Sequence, residues 1–298
     1  MKFYSGFITV VGRPNVGKST LINCLAGEKI AITSPKPQTT RNNLRAIITD
    51  EAHQMIFIDT PGLHVPKNKL GEYMVQAAAS SLSDVDAAVF VCDASDKTVA
   101  RGDLEIMNRL RALKETPVFL ALNKIDLIPK ERLLERIRVL SAEMDFREII
   151  PLSAVKGDGV EILRKALLEI LPEGPKYFPG NIVTDSTVRE ISAEIIREKV
   201  LFFTNEEVPH GVGIEIIQFK EAGKSAGVCN IEANILCEKA THKGILIGKD
   251  GSMLKRIGSS ARRDIEKLMG GRVNLRLWVK VKEDWRNHPG MLRELGFQ

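Results

Sequence analysis

The chain lacks what would mark a disulfide scaffold, a zinc module or a membrane span. Its four cysteines (Cys24, Cys92, Cys229 and Cys237) show no C-x-x-C spacing. Three of them sit in apolar or alternating runs where a small hydrophobe fits, so all four are expected to be reduced and structural. No apolar run approaches the roughly 18 residues of a bilayer crossing. The opening MKFYSG carries no apolar leader region, so a cytoplasmic protein is expected. What remains is ordinary globular material, 298 residues with 44% apolar and 27% charged, enough for about two domains with separate cores.

The chain is organised around Gly12 to Ser19, GRPNVGKS, which follows the apolar run FITVV and fits G-x-x-x-x-G-K-[ST]. That spacing predicts a phosphate-binding loop formed by Gly12, Arg13, Pro14, Asn15, Val16, Gly17, Lys18, Ser19 and Thr20. Glycines turn backbone N–H groups around a phosphate, Lys18 supplies a cation, and Ser19 offers a hydroxyl to Mg²⁺. A helix over 20–26 should begin at the phosphate and end at Gly27.

From Phe7 to Leu171, strand-like runs alternate with helical patterns: FITVV, LRAIITD, QMIFI, AAVFVC, PVFLAL and EIIPL. This predicts an α/β doubly wound sheet covered on both faces. Only Glu51 to His53 separate LRAIITD from QMIFI, which permits only a hairpin and hence one antiparallel edge strand. The strand ends carry the chemistry. Asp59-Thr60-Pro61-Gly62 follows QMIFI, where Asp59 can hold the Mg²⁺ shell and Gly62 can offer its N–H to a γ-phosphate. Asn123-Lys124-Ile125-Asp126 follows the next-to-last strand, and the Asp126 carboxylate suits the two donors of guanine. The turn Ser153-Ala154-Val155 after EIIPL can present a backbone N–H to the guanine carbonyl.

In this order, the four motifs resemble those of the translation-factor-like GTPases, and ITSPKPQTTR at 32–41 is similar to the first switch of the Era family. The resemblance implies that Thr40 reaches the Mg²⁺ of the triphosphate state, with Thr39 the alternative, and that Lys18, Thr40, Gly62 and Asn15 act in hydrolysis. Where Ras-like enzymes carry a glutamine this chain has Leu63, which cannot orient water, so intrinsic hydrolysis should be slow. Asn15 resembles the asparagine with which some relatives recruit K⁺; the other reading is that it only shapes the loop.

LPEGPKYFPGN marks a boundary, giving expected domains at 1–172 and 184–298 with a linker at 173–183. Beyond it a helix over 184–203, with Val188, Ile191, Ile195 and Val200 facing the core, leads into an α-β-β-α-α-β order. From Lys243 to Lys282 there are 11 basic and 3 acidic residues, against 6 and 10 in Thr184 to His242, so the charge excess is local and suits a polyanion. In its midst, Gly248-Lys249-Asp250-Gly251 opens a helix over 252–269 whose apolar face runs Leu254, Ile257, Ala261, Ile265 and Leu268, with Lys255 and Arg256 off the stripe. This resembles a smaller α+β type II KH domain, whose glycine loop grips about four nucleotides.

A GTPase domain followed by such a module, with EEVPH and LWVKVKEDWR, resembles the Era family over nearly the whole chain. The resemblance implies GTP and GDP with Mg²⁺ as ligands. It also implies a monomer that binds the 3′ region of small-subunit ribosomal RNA on the 30S subunit, with a peripheral contact to the inner membrane. Ile245, Ile247 and Gly248 would read bases and Lys249 the backbone. The tail 283–298, with Trp285 and His288, is expected to pack as a cap, RNA stacking being the alternative. Two rivals are a small-molecule kinase, against which NKID argues, and an RNA chaperone that uses nucleotide only as a clamp. Asp126→Asn should shift preference from GTP toward XTP, because an amide can donate to the extra carbonyl of xanthine; competition binding that still favours GTP would contradict the assignment.

Overall fold

In the computed structural model the described residues are all except 1, 35, 37, 38, 62–67, 83, 206, 207, 222–226 and 298. They form two compact units, one of residues 1–33, 40–66 and 74–185, the other of 34–39, 67–73 and 186–298.

Along residues 4–168 run β1 (Tyr4–Val11), α1 (Lys18–Ala26), β2 (Leu44–Thr49), β3 (His53–Asp59), α2 (Lys69–Ser80), β4 (Ala87–Asp93), α3 (Arg101–Leu110), β5 (Val118–Asn123), α4 (Lys130–Glu143), β6 (Glu148–Pro151) and α5 (Val160–Leu168). The sheet order is β2-β3-β1-β4-β5-β6, with β2 antiparallel to β3 and the other pairs parallel. β4 and β5 are interior strands, buried almost throughout, as continuous apolar runs require when helices cover both faces. One face packs Leu21 and Ile22 of α1 and Leu163 and Leu167 of α5; the other packs Ile106 and Leu110 of α3 and Leu140 of α4. Register places Val10 opposite Asp59 and Asp93 opposite Asn123, so four strands end at one edge of the sheet. That edge carries the candidate site.

The proline-rich stretch expected as a linker is hydrogen-bonded along the first unit. Ser5 N–H donates to Pro172 O (3.1 Å), Gly174 N–H to Phe3 O (3.0 Å) and Ile47 N–H to Val183 O (2.8 Å). The Gln54 amide exchanges two 2.9 Å hydrogen bonds with the backbone of Phe178. Proline removes donors but leaves carbonyls and intervening N–H groups available, which is how such a stretch can line a domain without joining a sheet.

The second unit contains α6 (Val188–Phe203), β7 (Gly213–Lys220), β8 (Cys229–Cys237), α7 (Ala240–Ile247), α8 (Ser252–Met269), β9 (Val273–Val281) and the short α9 (Pro289–Glu294). β8 is antiparallel to β7 and parallel to β9. α6 starts later than expected because Thr187 and Glu190 form a reciprocal capping box. Val188 therefore falls in the first turn and is 38% exposed, and Leu268, at the other end of α8, is equally so. The core is Ile195, Ile196, Val200, Ile231, Ile235, Leu246, Ile257, Ala261 and Ile265. Trp285 in the tail is wholly buried and its indole N–H donates to Gly211 O (2.9 Å), so the tail packs as a cap. Among the described residues no helix is long and apolar enough to cross a membrane.

Ile257→Ala should cost about 2–5 kcal/mol by leaving a cavity in the second core. Both tryptophans, Trp278 and Trp285, lie in that unit, so denaturant unfolding followed by tryptophan fluorescence reads it directly. Guanine-nucleotide affinity should stay unchanged; a parallel loss would show that the two cores are not separate.

Candidate functional site

The loop after β1 is built close against its neighbours. Gly17 has φ of 102°, and a Cβ there would stand 2.3 Å from Asn123 Nδ2, so only glycine lets the loop lie against the end of β5. Asn15 is also left-handed, at φ 65°. Lys18 is 7% exposed, and its ammonium donates to Gly12 O (2.9 Å) and Arg13 O (3.0 Å). Burial pushes its pKa down to about 8, against the opposing pull of the Asp59 charge. Arg13 turns its side chain onto Asp96 and Asp103. α1 begins at Lys18, so the backbone N–H groups of its first turn are left for a ligand at the loop.

Three oxygens meet beside this lysine. Ser19 Oγ donates to Asp59 Oδ2 (2.8 Å), Thr40 Oγ1 donates to the same oxygen (3.1 Å), and the two hydroxyls are 3.0 Å apart. Thr39, the alternative switch threonine, instead donates to Lys36 O (2.7 Å). Asp59 is fully buried, and among the described residues its Oδ1 has no hydrogen-bond partner. Burial raises its carboxyl pKa above the usual range, although Lys18 and the two hydroxyls pull it down. A carboxylate with one orphaned oxygen and two hydroxyls is a hard-oxygen set that fits Mg²⁺, which binds through few protein oxygens and completes its octahedron with phosphate and water. The Thr60 hydroxyl donates to Val10 O (2.8 Å) and fixes the turn that follows, with Pro61 next to it. Gly62 and Leu63 lie outside the described residues.

Asn123 ties the phosphate loop to the turns after β5 and β6. Its amide N–H donates to Val16 O (2.8 Å) in the phosphate loop, while its carbonyl accepts from Lys124 N–H (2.8 Å) and Ala154 N–H (2.9 Å). The Ala154 amide is therefore committed to Asn123, and Val155, 81% exposed, is the more open residue of that turn. Ser153 is buried and closes the turn by pairing with Asp158. Lys124 donates to Asn15 O (2.8 Å) and to Asp93 Oδ2 (2.6 Å). Burial would raise the Asp93 pKa, but hydrogen bonds from Lys124 and Ser95 outweigh it and hold the carboxyl below the usual range. Asp126 is exposed in a single turn of 3₁₀-helix, Ile125–Leu127. Asp93 was not anticipated. Its turn, D-A-S-D, follows β4 as the other motifs follow β3 and β5, and that placement was the one available signal.

In the second unit, Gly248, Asp250 and Gly251 all have positive φ (72°, 51° and 75°), and a Cβ added at Gly251 would meet open space. A cleft of about 350 Å³ runs between α8 and β9, lined among others by Gly251, Leu254, Lys255, Arg262, Leu275 and Leu277. Ile245 is half exposed at the end of α7, Ile247 is partly buried, and Lys249 and Lys255 are exposed. Arg256 is exposed as well. Its guanidinium lies 4.3 Å over the Phe203 ring, a cation–π contact that turns it toward α6 rather than into the cleft.

Fold and site together define a P-loop GTPase that carries a KH unit. A family model described as 50S ribosome-binding GTPase matches residues 7–124, and a KH domain model matches 207–286. The chain is 53% identical to GTPase Era of Ruminiclostridium cellulolyticum over 298 residues, covering 100% of this chain and 99% of that protein. It is 51% identical to GTPase Era of Clostridium botulinum over 296 residues, 99% of each. Among solved structures it resembles Era from Aquifex aeolicus bound to GDP·AlF₄⁻ (TM-score 0.93) and Era in complex with MgGDPNP and nucleotides 1506–1542 of 16S ribosomal RNA (TM-score 0.94), each 39% identical with 99% of both chains covered. The chain belongs to the Era family of GTPases.

Asn123→Ala would leave Val16 O, Lys124 N–H and Ala154 N–H without their shared partner. The expected result is a loss of GDP affinity on the order of tenfold or more, since unmade bonds at buried groups cost about 1–3 kcal/mol each. Fluorescent-nucleotide titration checks it, and wild-type affinity would contradict the stitching role.

Proposed function

We propose that this GTPase is a nucleotide-controlled switch that binds the single-stranded 3′ region of small-subunit ribosomal RNA and acts in assembly of the small subunit. The observation that carries the switch is the meeting of Thr40 with Ser19 and Asp59 beside the buried Lys18. A loop residue joined to the metal-type oxygens is the element that a γ-phosphate can hold in place and its loss can release. In this reading the phosphate loop and Lys18 bind the β- and γ-phosphates, while Ser19, Thr40 and Asp59 hold Mg²⁺. Asp126 takes the two guanine donors, and the turn at Ser153–Val155 faces the guanine carbonyl. When bound, Mg²⁺ neutralises charge on the phosphoryl oxygens. Leu63 offers water neither a donor nor an acceptor, so basal turnover is slow. Asn15, exposed and left-handed, is the residue assigned to a K⁺ that supplies the missing charge.

RNA recognition is supported by the glycine loop, the cleft with Lys255 and Arg262 on its wall, and the bound RNA of the 39% identical relative. Ile245, Ile247 and Gly248 face the bases and Lys249 the backbone. Arg256 contributes its charge from behind Phe203.

RNA affinity should be higher with a non-hydrolysable GTP analogue than with GDP, and by linkage RNA should tighten analogue binding by the same factor. Gly251→Asp should weaken RNA binding at least tenfold in both states by placing a carboxylate where phosphate must approach. Equal RNA affinity in the two nucleotide states would leave an RNA-binding GTPase without a switch.

A further inference from the structure

Behind the phosphate loop lies a set of charged groups that no assigned nucleotide contact uses. Arg13 Nε donates to Asp103 Oδ1 at 2.8 Å, and Nη2 pairs with Asp96 Oδ2. Asp103, in the first turn of α3, is fully buried, whereas Asp96, in the connection from β4, is partly exposed. Next to Asp103, the backbone makes room: a Cβ on Gly102 would stand 2.8 Å from Arg13 Cδ. The start of α3 is thus shaped around one guanidinium from roughly ninety residues earlier in the chain. Burial raises the Asp103 pKa above the usual carboxylate range, although the Arg13 hydrogen bond and charge pull it down.

Stability is a weak reason to keep such a pair. Taking a carboxylate and a guanidinium out of water costs about as much as their attraction returns, and apolar replacements often do as well. Fixing a geometry is the better-attested use. The other end of Arg13 shows which geometry is fixed, because its carbonyl and that of Gly12 accept the Lys18 ammonium at 3.0 and 2.9 Å. One residue is therefore clamped by its side chain to α3 and by its peptide to the phosphate-binding cation.

We propose that Asp96 and Asp103 are positioning residues for GTP hydrolysis, acting through Arg13 to hold the peptide against which the Lys18 ammonium is aligned. The inference rests on the reading of Gly12 to Ser19 as the phosphate loop. Both carboxylates act through the Arg13 side chain; their effect is on where Lys18 stands when charge develops on the transferring phosphoryl group.

The test is a double-mutant cycle on the full chain with Arg13→Gln, Asp103→Asn and the pair, read by steady-state hydrolysis and by thermal unfolding without nucleotide. Each single variant should lower kcat about tenfold, as expected for a lost hydrogen bond to a charged group, with KM changed less than twofold. The double variant should be no slower than the slower single, and Arg13→Lys, which keeps the charge but loses the fork, should fall between. Asp96→Asn, at a partly exposed position, should show the same kcat effect if Asp103→Asn proves too unstable to assay. Additive losses, or unchanged kcat with a lowered unfolding midpoint, would overturn the proposal and leave a purely structural pair. Lys18→Ala separates the two levels. If it leaves nucleotide affinity intact, the phosphate-loop reading fails; if it abolishes binding while the Arg13 and aspartate variants hydrolyse normally, only the positioning role fails.

Discussion

A desolvated ammonium at the end of a parallel sheet is the constraint on which the first unit depends. Lys18 is buried and, among the described residues, its ammonium donates to two loop carbonyls, with the Asp59 charge nearby. Burial acts against the charged form of both groups, lowering the lysine and raising the aspartate. A polyphosphate with a divalent cation reverses both penalties at once, bringing anions to the lysine and a cation to the carboxylate. The surrounding framework keeps that arrangement open. Four strands end at one edge, Gly17 lets the loop touch Asn123, and Asn123 and Lys124 tie the phosphate loop to the turns after β5 and β6.

The second unit answers a different problem with the same means. A chain that is to approach a sugar–phosphate backbone needs a stretch without side-chain bulk, and positive φ at Gly248, Asp250 and Gly251 gives the loop that shape. Its own core of α6, α8 and the three-stranded sheet holds the loop at the mouth of the cleft, while basic groups on α8 supply long-range attraction. Phosphate attraction alone reads no sequence; the apolar wall of Leu254, Leu275 and Leu277 is where base identity can matter.

Much of this was legible from residue order alone, for a physical reason. Phosphate loops and strand-end turns depend on glycine and on a few side chains adjacent in sequence, so GRPNVGKS, DTPG, NKID and SAVKG carry their geometry with them. The antiparallel edge followed from a connection too short for anything but a hairpin, and the buried interior strands from unbroken apolar runs. What stayed hidden were side-chain partnerships distant in sequence that no motif announces. Nothing in the spacing of Arg13, Asp96 and Asp103 announces a clamp, and nothing in the spacing of Arg256 and Phe203 announces their cation–π contact. The proline-rich stretch read as a linker because proline breaks elements, yet its carbonyls and N–H groups still line the first unit. Val188 and Leu268 fit an apolar stripe but sit at helix ends, where the stripe runs past the core.

The central claim, that a buried Lys18 is completed by a phosphate beyond the first, is tested most directly by nucleotide-induced stabilisation. A ligand that binds only the folded state raises the unfolding midpoint according to its affinity. The unfolding midpoint is measured with saturating Mg²⁺ and GMP, GDP or a non-hydrolysable GTP analogue. Large increases are expected for GDP and the analogue and almost none for GMP, which has no phosphate that reaches the lysine. Equal stabilisation by GMP and GDP would mean that the guanine site alone drives binding and that the buried ammonium is not what the ligand completes.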